Sequence, residues 1–149
     1  MSVGRICLRE VHLADGAESV ADAARRMRDR GVGTLVVVDE AGKPVGLLTD
    51  RDITLRVVAS GGDPQATSVG DVMTERPKTV HENTPIESAL ALMRSGAFRR
   101  LPVVDDRGVV VGIVSIDDVL GLLAEELALI GGLFARQTPR PAAPRGSCA

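Results

Sequence analysis

The stretch that decides the fold occurs twice, as "LLTDRDI" at residues 47–53 and as "IVSIDDV" at residues 113–119. Each stretch runs from two apolar residues to a hydroxyl residue, then to an aspartate three positions later and a further apolar residue. This order is typical of a strand that leads into a capped helix, because a hydroxyl oxygen can accept a hydrogen bond from the first backbone N–H groups of the helix. The sequence therefore predicts the same strand-to-helix junction at two places in one chain.

The residues around the two junctions repeat with the same spacing. A shift of 66 residues, the distance from Thr49 to Ser115, aligns residues 3–53 with residues 69–119 without a gap. Matches at this fixed offset indicate an internal duplication. Two copies of about 60 residues predict a pseudo-twofold pair whose apolar faces are buried on one another, rather than an open solenoid.

Each copy carries the same succession of secondary-structure signals. Apolar residues recur first at helical spacing and then in two short runs rich in β-branched residues, which are joined by turns that contain Gly42 and Gly108. We therefore expect an α/β (α+β) fold in which each copy has the order β-α-β-β-α. We expect the first strands near Val11–Ala14 and Lys78–Val80 and the junction helices over about 50–59 and about 116–130.

The repeat also predicts the division of the chain. We expect the first copy over residues 3–60, a linker over 61–68 and the second copy over 69–130. Residues 131–149 are rich in Pro, Ala and Arg. Such a composition does not bury a core, so we expect a disordered tail there.

Composition narrows the class of protein. The chain is 44% hydrophobic and 26% charged with a formal charge of −2, which is ordinary for a soluble globular protein and not typical of a nucleic-acid binder. No apolar run approaches the ~20 residues of a membrane span, and no basic and apolar leader opens the chain. Cys7 and Cys148 have no second cysteine or histidine at metal-ligand spacing. We therefore expect a cytoplasmic protein with no nucleic-acid partner, no membrane segment and no metal site.

Three segments carry a resemblance to a known family: "GVGTLVVVDEAGKPVGLLTDRDI" at 31–53, "VGDVMTERPKTV" at 69–80 and "FRRLPVVDDRGVVVGIVSIDDV" at 98–119. They resemble the cystathionine-β-synthase (CBS) domain, and two tandem copies look like the pair often called a Bateman module. The resemblance covers about residues 3–128. It implies a tandem CBS pair with pseudo-twofold symmetry, a stand-alone bacterial-type protein, and a homodimer in the form of a flat disc.

The resemblance also assigns roles to the two junctions. In the family the matching hydroxyl and aspartate contact the phosphate and ribose of an adenosine nucleotide, which implies those roles for Thr49 with Asp52 and for Ser115 with Asp118. A helix N-terminus beyond a strand end attracts anions, and a carboxylate can accept hydrogen bonds from ribose hydroxyls. The alternative is that all four residues only cap helices. We expect the two junctions to face a shared crevice if the ligand role is correct.

Arg99-Arg100 precedes a predicted strand of the second copy, where the first copy has the uncharged Gly33-Thr34. Paired arginines on a loop are often a solvated edge or ion-pair partners, but a guanidinium can also clamp a phosphate. Related modules place basic residues at this position. We therefore expect two sites of unequal affinity, at which loss of Asp118 weakens binding more than loss of Asp52. Either the phosphates of both ligands converge on Arg99 and Arg100, or the site that lacks these arginines is weak or empty.

An adenine ring would need apolar walls. The family pattern places them in the segment ahead of each first strand and in neighbouring strand residues. Plain core packing is the alternative for these side chains. The implied wall residues are Ile6, Cys7, Val72, Met73, Val80 and Pro102.

The functional hypothesis follows from these residues. We find no nucleophile elbow, phosphate-binding glycine loop or metal-ligand cluster, so we expect no catalytic residues and no required cofactor. The main hypothesis is a regulatory module that senses an adenosine-containing ligand (AMP, ADP, ATP, NAD or S-adenosylmethionine) and reports energy or cofactor state to a protein target. The alternatives are a ligand-free dimerisation or interaction scaffold and an enzyme that acts on nucleotides. An apolar stripe on the last helix favours a homodimer and comprises Val119, Leu122, Leu123, Leu127 and Ile130.

Overall fold

The computed structural model describes residues 1–96 and 98–137. After a 3-10 turn at Val3–Arg5, the first half contains β1 (Leu13–Ala14), α1 (Val20–Arg30), β2 (Thr34–Val38), β3 (Pro44–Thr49) and α2 (Asp50–Ile53), which continues as a π-helical turn over Thr54–Val58. The second half contains α3 (Val69–Val72), β4 (Thr74–Glu75), β5 (Val80–His81), α4 (Ile86–Gly96), β6 (Arg100–Val104), β7 (Val110–Ser115) and α5 (Ile116–Gln137). The mixed fold and the order β-α-β-β-α in each half are confirmed.

The helices α1 and α4 form at the apolar periodicity that predicted them. The Ser19 side chain caps α1 by accepting a hydrogen bond from the backbone N–H of Asp22 at 3.1 Å. The helix ends at Gly31, whose φ of 64° is the left-handed conformation that glycine adopts without steric cost. Both helices bury one face, which comprises Val20, Ala23 and Met27 on α1 and Ile86, Ala89 and Met93 on α4.

The last helix, α5, is longer than the sequence suggested. It continues through Gly131-Gly132 to Gln137, so the prediction of a disordered tail from residue 131 is wrong for residues 131–137. Leucine is a strong helix former, and the leucines around the two glycines offset their low helix propensity. Residues 138–149 of the predicted tail lie outside the described residues. Within the described part of the chain, no helix is both long and apolar enough to cross a bilayer.

Each half forms a small sheet around one hairpin. The strand orders are β1-β2-β3-β4 and β5-β6-β7, with β2 antiparallel to β3 and β6 antiparallel to β7. At the hairpin tips Gly42 and Gly108 have φ of 75° and 77°, as turn glycines should. The tips meet, because the backbone N–H of Val110 donates to the carbonyl of Gly42 at 3.1 Å.

The segment that opens each copy, which is residues 3–8 in the first copy and 69–75 in the second, packs into the other copy. Strand β4, which opens the second copy, pairs with β3 of the first copy, and Leu8 forms the equivalent bridge with Ile113 on β7. The buried side chains follow the same exchange. Val69 and Val72 belong to the core around α1 and β2, whereas Val3 and Cys7 belong to the core around α4 and β6. Each sheet and each core therefore needs residues from both copies.

Candidate functional site

Both junctions form capping boxes. The Thr49 hydroxyl accepts from the backbone N–H of Asp52 at 3.1 Å, and Asp52 Oδ2 accepts from the Thr49 N–H at 2.9 Å and from its hydroxyl at 2.7 Å. Ser115 and Asp118 repeat the arrangement at 3.2, 2.7 and 2.7 Å. The capping interpretation is confirmed. Because each hydroxyl proton is already donated to an aspartate, it would have to leave the box before it could reach a phosphate.

The capping box uses only one oxygen of each aspartate. Oδ1 of Asp52 lies 3.6 Å from Nη2 of Arg56, whose Nη1 also donates to the carbonyls of Val72 at 2.6 Å and Met73 at 3.0 Å. The residue 66 positions after Arg56 is Leu122, which carries no charge. Among the side chains of residues 1–96 and 98–134, none forms a hydrogen bond or ion pair with the second oxygen of Asp118.

The two junctions open into two clefts, and not into one shared crevice. The Asp52 cleft has a volume of about 440 Å³ and the Asp118 cleft about 230 Å³. Thr34 and Arg100 line both clefts, and Nη1 of Arg100 donates to Oγ1 of Thr34 at 3.3 Å. The sequence predicted one shared crevice, and the structure divides it into two clefts that meet at these two residues. The opening segment of each copy lines the cleft at the junction of the other copy.

Each cleft combines residues of both copies. The described lining of the Asp52 cleft is Thr34, Leu47, Thr49, Arg51, Asp52, Thr74, Glu75, Arg76, Pro77, Lys78, Phe98, Arg99, Arg100 and Leu101. The described lining of the Asp118 cleft is Leu8, Glu10, Val11, His12, Gly31, Val32, Gly33, Thr34, Val36, Arg100, Ile113, Ser115 and Asp118. The 66-residue offset relates most positions of one lining to positions of the other. The two clefts are therefore pseudo-symmetric.

The paired arginines lie mainly in the cleft opposite to the one expected. Arg99 lines the Asp52 cleft, and Arg100 lies between the two clefts. The alternative in which the site of Asp52 lacks the arginines is therefore wrong, and the convergence of both phosphates on them stays a prediction. The reason is geometric, since each cleft joins the junction of one copy to the strand start of the other.

The implied adenine walls lie in the cores. Val72, Val80, Pro102 and Cys7 are buried, and Met73 and Ile6 pack against the cores. None of the six lines either cleft, although Ile6 lines a separate cavity that Asp118 borders. Burial raises the pKa of the Cys7 thiol, as expected of a small buried core residue. The apolar lining is instead Leu47, Pro77, Phe98 and Leu101 in the Asp52 cleft and Leu8, Val11, Val32, Val36 and Ile113 in the Asp118 cleft.

Several cleft residues were missed by reasoning from the sequence. They include Arg76 and Lys78 in the Asp52 cleft and Glu10 and His12 at the matching positions of the Asp118 cleft. The sequence contained a signal for these four residues, because the 66-residue offset pairs them and their charges differ between the two copies. Phe98 was missed because one aromatic residue ahead of a strand gives no periodic signal in the sequence. Over the described ranges, no group of three or more His, Cys, Asp or Glu side chains is placed to hold a metal ion.

Comparison with known proteins places the geometry in a family. The CBS domain model matches residues 3–59 and 69–125. An uncharacterized protein of Methanopyrus kandleri is 37% identical over 120 residues, which cover 80% of this chain and 61% of that protein. The CBS domain-containing protein YhcV of Bacillus subtilis is 40% identical over 102 residues, covering 68% of this chain and 71% of that protein.

A solved structure shows the same fold. It is the CBS domain pair of protein MJ0100 in complex with 5′-methylthioadenosine and S-adenosyl-L-methionine. It superposes with a TM-score of 0.75 at 29% identity and covers 85% of this chain and 98% of that chain. Together with the two family matches, which span more than half of the sequence, this likeness confirms the resemblance read from the junctions. The chain belongs to the CBS domain family and contains a tandem pair of CBS domains.

Proposed function

We propose that this chain is a regulatory module that binds an adenosine-containing ligand in the clefts between its two CBS domains. One observation carries the proposal: each cleft is lined by an aspartate that uses one carboxylate oxygen in the helix cap and keeps the other outside the cap, where it could accept a hydrogen bond from a ribose hydroxyl. Apolar side chains in the same cleft offer a surface for the base. The MJ0100 domain pair, solved with two adenosine compounds, supports the choice of ligand class.

Binding would be coupled to domain arrangement. Because both clefts contain residues of both copies, a bound ligand contacts both domains and favours the arrangement in which those contacts form. In this proposal the chain catalyses no reaction, needs no cofactor and works in the cytoplasm. It reports the level of AMP, ADP, ATP, NAD or S-adenosylmethionine to a protein target.

A thermal-shift titration tests the proposal. Adenosine, ATP or S-adenosylmethionine at about 100 times its Kd should add about 2.7 kcal/mol to the free energy of unfolding for each site, because the ligand binds only the folded state. Uridine is the control, since it has the same ribose and a different base. The absence of a shift with every adenosine compound would contradict the proposed function.

A scaffold role is the second candidate, and α5 supports the self-association on which it depends. Val119 is buried, but the other apolar residues of the predicted stripe are not in the core of the chain. Exposed side chains at helical spacing form an apolar face of α5 and include Leu120, Leu123, Leu127 and Ile130. An apolar face of this kind is typical of a contact surface, so we propose a homodimer through α5. A dimer is compatible with ligand binding.

The dimer can be tested by charge insertion. Replacing Leu123 and Leu127 with glutamate should shift the chain from dimer to monomer in light scattering coupled to size-exclusion chromatography, because the carboxylates would be buried without partners. Gly121→Glu/Ala128→Glu is the control, since it adds the same two charges on another side of α5. A wild-type chain that is already monomeric at micromolar concentration would contradict the proposed dimer.

A further inference from the structure

The two clefts differ strongly in charge, and the inference drawn from this difference rests on the proposed function. Among the described residues that line the Asp52 cleft, five are cationic and two are carboxylates. The described lining of the Asp118 cleft has one arginine, one histidine and two carboxylates. Clefts of this size focus the field of their lining charges, so the two should attract different ligands.

The difference arises at positions that the repeat matches. Arg76 and Lys78 of the Asp52 cleft occupy the places that Glu10 and His12 occupy in the Asp118 cleft. Arg76 also has a φ of 50°, in the left-handed region that non-glycine residues rarely adopt. Glycine would adopt this φ without steric cost, so the backbone holds an arginine side chain at the cleft in spite of some strain.

The carboxylates of the two clefts are also unequal. Arg56 lies 3.6 Å from Asp52 and partly neutralises it, whereas the matching Leu122 leaves the charge of Asp118 without such a partner. An uncompensated carboxylate repels phosphate groups. The electrostatics of the capping aspartates therefore reinforce those of Arg76 and Glu10.

The Asp52 cleft has a volume of about 440 Å³ and the Asp118 cleft about 230 Å³. Asp118 also borders a separate cavity of about 500 Å³, but the described lining of that cavity has the carboxylates of Asp117 and Glu125 and one cationic side chain, Arg5. The Asp52 cleft also contains Phe98, whose ring can stack on a base, where the Asp118 cleft has Val32. The Asp52 cleft has room for a nucleoside and its phosphates, and Arg99 and Arg100 supply further donors for them.

From these contrasts we infer that the clefts bind two classes of adenosine compound. The Asp52 cleft binds a phosphorylated ligand such as ATP, and the Asp118 cleft binds an adenosyl ligand without phosphate. One chain then responds to two chemically distinct signals. Each ligand contacts both domains, so the occupancy of one cleft is transmitted to the other.

A charge exchange tests the inference by isothermal titration calorimetry with ATP and adenosine. The wild type should bind one ATP per chain. The Arg76→Glu/Lys78→His variant takes the residues of the other cleft and should bind ATP at least about tenfold more weakly, because phosphate contacts of cationic side chains are lost. The affinity of this variant for adenosine should change by less than about threefold, and added salt should weaken ATP binding to the wild type more than to the variant.

The reciprocal variant, Glu10→Arg/His12→Lys, should create a second ATP site. Arg94→Glu/Arg28→Gln is the matched control, because it changes the net charge of the chain by the same amount as Arg76→Glu/Lys78→His at exposed helix positions outside both clefts. Loss of ATP affinity in that control as large as in the cleft variant would show a general charge effect and overturn the inference.

The outcomes separate the inference from the proposed function. Adenosine binding with ATP affinity unchanged by Arg76→Glu/Lys78→His would overturn the division of ligands and leave the proposed function intact. Binding of two ATP molecules per wild-type chain would also overturn the division of ligands and leave the proposed function intact. If neither ATP nor adenosine binds the wild type, the proposed function and the inference both fail.

Discussion

Replacing Gly112 with alanine should lower the free energy of unfolding by about 2 kcal/mol, within the range expected for overpacking. A Cβ at Gly112 would lie 2.7 Å from Sγ of Cys7 and 3.2 Å from the carbonyl oxygen of Leu8. That carbonyl accepts from the backbone N–H of Ile113 at 3.0 Å, so relieving the clash would separate the opening segment from β7. Urea unfolding followed by circular dichroism measures the change.

The matching position in the first copy offers a control. At Gly46 an added Cβ would meet Sδ of Met73, but a thioether at the end of a flexible side chain can rotate away. Gly46→Ala should therefore cost less than Gly112→Ala. Adding Cys7→Ala to Gly112→Ala should recover part of the loss, because the closest contact is removed. Equal stability of Gly112→Ala and the wild type would contradict the exchanged packing of the opening segments.

The fold could be predicted to the level of its repeated unit. The alternation of helical and strand periodicity is a local property, so the order of elements and the turns at Gly42 and Gly108 follow from residues close together in sequence. The exchange of opening segments cannot be derived in this way, because it joins residues that are far apart in sequence. The 66-residue offset shows that Val3 matches Val69, but the same alignment is satisfied whether each packs in its own copy or in the other.

The candidate site, too, was predictable only where it depends on residues close together in the sequence. The capping boxes are contacts between residues three apart, and the sequence showed them directly. The cleft linings join residues that are far apart, such as Asp52 and Arg99, and they depend on the exchange that the repeat leaves open. This is why the arginines were assigned to the site of Asp118 and why core residues were chosen as adenine walls. Comparing charges across the offset would have revealed Arg76 and Glu10, though not the cleft to which each belongs.

Capping and ligand binding by the two aspartates can be separated with one isosteric change. In Asp52→Asn/Asp118→Asn the amide oxygen can still accept from Thr49 and Ser115, so each helix cap persists. The remaining group becomes an NH₂ donor where the carboxylate offered an acceptor. Losing a charged hydrogen bond costs about 1.5–3 kcal/mol, so adenosine should bind about 10–150-fold more weakly to each cleft in calorimetry.

The stability of the same variants distinguishes the two roles. The asparagine variant should retain the free energy of unfolding of the wild type to within about 1 kcal/mol, whereas Asp52→Ala/Asp118→Ala should lose about 1 kcal/mol for each cap. Asp71→Asn is the matched control, because Ser68 and Asp71 form a third capping box that lies outside both clefts. It should leave adenosine affinity unchanged. If the asparagine variant binds adenosine as tightly as the wild type, the aspartates act only as caps, and other residues of the clefts must hold the ligand.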